Sequence, residues 1–148
     1  MTKVKMLDNL PKAIEDKMNQ DLIDYETSHG IDVNYKKFSL VLYDDEVVVG
    51  VVNAFTAFAE IYVDDMWVDS KHRGKGYGRK LLQQLENMFE GQGFNNINLC
   101  TSQFQAPEFY KKCGFQLEFV RYNKINPKLN KYFFSRMFKE ENQFQGLK

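Results

Sequence analysis

Met66-Trp67-Val68-Asp69-Ser70-Lys71-His72-Arg73-Gly74-Lys75-Gly76-Tyr77-Gly78-Arg79 is the stretch on which the fold turns. Before it, Glu60 to Val68 is an apolar strand pattern interrupted by Asp64-Asp65. After it, Tyr77, Leu81, Leu82, Leu85, Met88 and Phe89 form one apolar stripe at helical spacing, and Gly91 and Gly93 end the run. A strand that enters a glycine-rich loop and leaves as a helix exposes several backbone N–H groups at the helix start, with little side-chain bulk in the way. That arrangement suits a pyrophosphate. The helix dipole adds about 0.3–1 kcal/mol for an anion there. Arg73, Lys75, Arg79 and Lys80 place positive charge beside it. Two other phosphate motifs fit poorly: a P-loop needs Ser or Thr after Gly-Lys, where Gly76 stands, and the last glycine of the dinucleotide fingerprint is missing. Taken alone, the loop also reads as a flexible turn with solvated basic residues.

Outward from the loop, the chain alternates element types. From Pro11 to His29, Ile14, Met18, Leu22 and Tyr25 recur at helical spacing, and Gly30 supplies a stop. Phe38 to Tyr43 and Val47 to Val52 read as a hairpin about Asp44-Asp45-Glu46, the second run extending toward Phe58. Asn96 to Cys100 reads as a short buried strand and Pro107 to Cys113 as a short helix with Gly114 just past its end. Phe115 to Tyr122 and Tyr132 to Phe138 form a final antiparallel pair around Asn126-Pro127, and residues 139–148 read as a frayed tail. The order is that of a mixed α/β fold.

The 148 residues suit a single domain, 1–148. Lysines and arginines equal acidic residues at 20 each, so no long-range field draws the chain to nucleic acid or to an anionic membrane. No apolar run approaches a membrane span and no signal core follows Met1, which points to a cytoplasmic location. Cys100 and Cys113 fit reduced core thiols. His29 and His72 assemble no metal site with their neighbours, and His72 reads as a surface loop residue.

Two motifs in the right order carry a resemblance. Arg73-x-x-Gly76-x-Gly78 after Met66-Trp67-Val68-Asp69 looks like the acetyl-CoA signature of GNAT superfamily N-acetyltransferases. Downstream, Gln103-Phe104-Gln105-Ala106-Pro107-Glu108-Phe109-Tyr110-Lys111-Lys112-Cys113-Gly114-Phe115 resembles the second signature of that family, an Ala, then a Tyr, then Gly-Phe. The match covers roughly Phe38 to Phe138 and suits the bacterial small-molecule type. It implies a splayed, mixed, mostly antiparallel sheet of about six to seven strands flanked by helices. It also implies acetyl-CoA as co-substrate, held by Met66, Trp67 and Val68 along the strand, by Arg73, Gly74, Lys75, Gly76, Tyr77, Gly78 and Arg79 in the loop, and by Gln103 and Tyr110 downstream. Where Gln103 stands the family often has Asn.

Acetylation of an amine needs a neutral nitrogen to attack, a donor for the developing oxyanion and a proton for the departing thiolate. The resemblance places a backbone N–H near Trp67 at the oxyanion and Tyr110 at the family's general-acid position. A core tyrosine would look the same in sequence, since Ala106, Phe109, Tyr110 and Cys113 share one helix face. Asp64 is the second catalytic candidate, because an acid inside an apolar strand needs a partner, water or a cationic amine. An Asp at this distance before the glycine loop is similar to one at the acceptor amine of aminoglycoside 6'-acetyltransferases. A bulge that turns Asp64 and Asp65 to solvent is the competing reading. The expected partner is a small-molecule amine, and a homodimer is a further expectation because terminal strands of such folds pair. A non-catalytic acetyl-CoA-binding module and a protein or peptide N-acetyltransferase remain as alternatives.

Overall fold

A computed structural model of the chain describes residues 1–139. The tail read as frayed lies, from residue 140 on, outside the described residues. The chain forms two compact units, Met1–Val33 and the part from Asn34 on. The first contains helix α1 (Lys12–Ser28), which Pro11 opens and which is laced by Lys12–Asp16 and Lys17–Asp21 ion pairs one turn apart. Gly30, at φ +73°, turns the chain out of the helix.

The second unit is a six-stranded sheet of β1 (Lys36–Asp44), β2 (Val47–Ala57), β3 (Glu60–Val68), β4 (Asn96–Ser102), β5 (Gln116–Arg121) and β6 (Lys131–Met137). Two helices, α2 (Tyr77–Phe89) and α3 (Pro107–Lys112), complete it. The strand order is β1-β2-β3-β4-β6-β5. Each neighbouring pair runs antiparallel except β3 with β4, which the α2 crossover joins in parallel. The strands thus follow the boundaries that hydrophobic alternation and the turn residues predict. Leu81, Leu82 and Leu85 of α2 pack on Val52, Ala54 and Ile61, so the apolar stripe and the inward faces of β2 and β3 form the core.

Two features of β3 position everything that follows. Its ladder with β4 runs only from Glu60↔Asn96 to Tyr62↔Asn98, after which the two strands part. Its ladder with β2 steps from Asn53↔Asp65 to Ala54↔Val63, leaving Asp64 as the extra residue of a β-bulge. Strict alternation would put Asp65 on the side of Ile61 and Val63. The bulge instead returns Met66 to the core side, packed with Val63, and turns Asp65 to the opposite face, where Asn53 Nδ2 donates to it at 3.2 Å. The carboxylates therefore interrupt the pattern because one residue is inserted, and both are exposed.

One expectation about β4 is corrected. Cys100 is exposed, not a core thiol, because Ile97 and Leu99 take the inward positions of the strand and Cys100 falls on the other face. Cys113 is half-buried, and both thiols are free.

Candidate active site

Where β3 ends, Asp69 and a short 3-10 turn, Ser70–His72, lead into the loop. Gly76 is the N-cap of α2 in the left-handed region, at φ +79°, and no side chain caps this end. The first intrahelical bond is Lys80 N–H to Gly76 O at 3.0 Å, so the N–H groups of Tyr77, Gly78 and Arg79 have no acceptor within the helix. They face a cleft of about 670 Å³, bounded by Met66 and Val68 of β3, His72 to Gly74, the start of α2 and the Phe104–Tyr110 segment. A Cβ on Gly78 would come within 2.9 Å of both Met66 Cε and Phe109 Cζ, so the missing side chain is what keeps this cradle open. Free amides, a helix N-terminus and adjacent guanidinium groups are the donor set a pyrophosphate requires.

On the other side of the parting strands lies a smaller gap of about 310 Å³, lined by Val63 to Trp67 of β3, Leu99 to Thr101 of β4, and Gln105, Ala106 and Tyr110. Its rim carries Asp64 and Asp65, with Trp67 half exposed beside them. The two clefts share Met66, Gln105, Ala106 and Tyr110, so they meet where Tyr110 crosses from α3 toward β3.

Tyr110 is itself buried, with its ring edge-on to Phe109 and Phe115 and tilted on Phe134. Its hydroxyl points at Met66 Sδ, 3.7 Å away, a weak acceptor that leaves the proton available. Burial, with the neighbouring Cys113 thiol adding to it, pushes the hydroxyl up to about 12. The folded chain thus holds this proton more tightly than an unfolded one, whose tyrosine titrates at 10.0. The associated stability is intact below pH 10 and is lost as pH rises toward 12, by on the order of 1 kcal/mol at pH 11. Thermal unfolding at pH 9 and pH 11 should accordingly show a larger fall in Tm for the wild type than for Tyr110→Phe. Equal falls would contradict the placement.

The sequence candidates separate by location. Met66, Val68, Arg73, Gly74, Gly76, Tyr77, Gly78, Arg79 and Tyr110 line the larger cleft. Trp67 and Asp64 line the smaller one. Lys75 stands outside both linings. Gln103 turns away, its Oε1 accepting from Asn130 Nδ2 at 3.0 Å, while its neighbours Phe104 and Gln105 face the cleft. Tyr77 also donates to Asp44 at the end of β1 at 2.5 Å, which ties the loop to the hairpin.

Sequence reading missed His72. Its side chain is only 25% exposed, its Nδ1 lies 2.8 Å from Asp69 Oδ2, and it lines the larger cleft. That hydrogen bond holds the Asp69 carboxyl below its usual range. The three-residue spacing of Asp69 and His72 within one helical turn was the available signal.

A family model described as "Acetyltransferase (GNAT) family" matches residues 6–115. A blasticidin-S acetyltransferase from Streptomyces morookaense is 38% identical over 58 residues, covering 38% of this chain and 43% of that protein, so the match spans less than half the relative's length. A crystal structure of an acetyltransferase from Bacillus cereus ATCC 14579 superposes with a TM-score of 0.72 at 28% identity, covering 90% of this chain and 98% of that one. A Bacillus anthracis str. Ames protein solved in complex with acetyl coenzyme A shares the fold, with a TM-score of 0.62 at 21% identity over 70% of this chain and 63% of that one.

Proposed function

The chain belongs to the GNAT acetyltransferase family, and from that premise we propose that it transfers the acetyl group of acetyl-CoA to a primary amine of a small molecule, by direct attack with both substrates bound. The observation that carries this reading is the meeting of two clefts at Tyr110, one ending on unpaired helix amides and the other rimmed by carboxylates. The occurrence of acetyl coenzyme A in a protein of the same fold supports the larger cleft as its seat.

When bound, acetyl-CoA supplies a thioester open to attack by an amine and a thiolate as leaving group. The chain supplies the rest. The amides of Tyr77, Gly78 and Arg79 hold the pyrophosphate, with Arg73 screening its charge. A β3 backbone N–H near Trp67, beyond the last β3–β4 pair, donates to the developing oxyanion. Tyr110 keeps its proton at neutral pH and donates a hydrogen bond to the negative charge that develops on the departing sulfur. Asp64, in its bulge on the far side of Tyr110, attracts the ammonium form of the incoming amine to an exposed rim, where the amine loses one proton to solvent to become the attacking neutral nitrogen and a second as the amide forms.

The Streptomyces relative acetylates blasticidin S by name, and a gap of about 310 Å³ is within the size range of small-molecule sites. Amine-dependent release of the coenzyme A thiol tests the reading. Because Asp64 is exposed, its attraction is screened and worth at most about 1 kcal/mol. Asp64→Asn is therefore expected to raise KM for the amine about fivefold and leave KM for acetyl-CoA unchanged. An unchanged amine KM removes Asp64 from the site.

A further inference from the structure

The short helix that carries Tyr110 is held in an unusual way. With six residues, α3 is well under the roughly 12–15 that give an isolated helix even marginal stability, so its direction is set by what grips its ends. At the C-terminus every carbonyl can be traced. Phe115 N–H donates to Tyr110 O at 3.0 Å and Gly114 N–H to Lys111 O at 3.1 Å, the paired bonds of a Schellman motif about Gly114 at φ +90°. That leaves Lys112 O and Cys113 O, and each is taken by an arginine. Arg79 Nη2, from the first turn of α2, donates to Lys112 O at 3.1 Å. Arg136 Nη1, from β6, donates to Cys113 O at 3.1 Å.

Arg136 also grips α2. Its Nε lies 2.9 Å from Glu86 Oε2 and its Nη2 donates to Glu86 Oε1 at 3.1 Å, a two-pronged pair that is 29% and 13% exposed. One planar guanidinium thus joins the end of α3 to the last turn of α2 from the strand beneath. A Cβ on Gly114 would sit 1.9 Å from Arg136 Nη1, so the glycine makes room for the guanidinium as well as for the turn.

We infer that Arg136 is a positioning residue, which fixes α3 against α2 through Cys113 O and Glu86 and so holds the Tyr110 hydroxyl at the junction of the two clefts. This rests on the role of Tyr110 proposed above. The unpaired amides of the loop lie at the opposite end of α2, where Arg79 supplies its own tie. Loss of Arg136 should therefore misplace Tyr110 more than it disturbs acetyl-CoA.

The test uses Arg136→Met, Arg136→Lys and Glu86→Gln in the full chain labelled with 3-fluorotyrosine, the Tyr110 resonance being assigned by its disappearance in Tyr110→Phe. In Arg136→Met, kcat with an amine that the wild type acetylates should fall about tenfold or more, as small misplacements of catalytic groups do, while the calorimetric Kd for acetyl-CoA stays within about threefold. The Tyr110 fluorine signal should shift or broaden. Arg136→Lys should not restore kcat, because an ammonium cannot span both acceptors. If kcat and acetyl-CoA affinity fall together, or if kcat and the Tyr110 signal are both unmoved, the inference is overturned. Should Arg136→Met fail to fold, the same two readouts in Arg136→Lys and Glu86→Gln decide. A wild type that acetylates no amine overturns the proposed function, and the Tyr110 signal then decides the positioning role by itself.

Discussion

Tyr110→Phe is expected to lower kcat about 100-fold while leaving KM for acetyl-CoA within about threefold. The substitution removes one oxygen and keeps the ring, so the packing on Phe109, Phe115 and Phe134 survives. The hydroxyl's long hydrogen bond to Met66 Sδ goes with it, at a cost well under about 1 kcal/mol. A folding defect is thereby separated from a chemical one. The magnitude follows from the proton's affinity. A hydroxyl pushed up to about 12 gives its proton uphill to a thiolate whose thiol titrates near 8.5. Tyr110 therefore works chiefly as a hydrogen-bond donor to the developing negative charge, and the expected loss lies at the low end of the 10²–10⁴ range for acid catalysis, at about 10². The same value implies that no alkaline fall in kcat traceable to Tyr110 appears below pH 10. Steady-state kinetics at saturating amine check both statements, and an unchanged kcat excludes Tyr110 from the chemistry.

Gly76→Val should produce the opposite split, with KM for acetyl-CoA raised at least about tenfold and kcat retained within about threefold. Gly76 is left-handed at φ +79° and has nothing within 4 Å of a Cβ, so the penalty comes from the backbone, not from a clash. Left-handed backbone costs an L-residue about 1–2 kcal/mol, more for a β-branched one. The chain relieves that strain by rotating the loop, which turns the amides of Tyr77, Gly78 and Arg79 away from the phosphates. Arg73 contributes charge from an exposed position and is replaceable by its neighbours, so its removal should cost less than the loss of the aligned amides. Direct calorimetric binding of acetyl-CoA distinguishes this from a rate effect, and wild-type affinity in Gly76→Val would show that the loop does not hold the cofactor. Together the two variants separate cofactor seating from chemistry.

Much of this was readable from local pattern. The strand ends, the α2 stripe and the glycine loop are short-range features, and the structure follows them closely because alternation, helical spacing and turn residues agree there. The glycines of the candidate site were legible because a local need forces the residue type, a left-handed backbone at Gly76 and a close approach at Gly78. What was hidden depends on parity or on distance along the chain. Counting by two along β3 cannot register one inserted residue, so the return of Met66 to the core side was beyond the pattern, whereas the solvent-facing bulge was the competing reading of Asp64-Asp65 and is the one the fold adopts. Cys100 looked like core because its neighbours are apolar, yet the inward positions belong to Ile97 and Leu99. Gln103 is drawn from the cleft by Asn130, 27 residues away. Arg136 reaches Glu86 across 50. No periodicity encodes such pairings.

The central claim is tested most directly by release of the coenzyme A thiol from acetyl-CoA in the presence of a panel of small primary amines, blasticidin S, aminoglycosides and polyamines among them. Turnover that requires one of these amines and falls about 100-fold in Tyr110→Phe is the predicted result. Tight binding of acetyl-CoA with no thiol released on any amine would contradict it and mark the chain as a binding module.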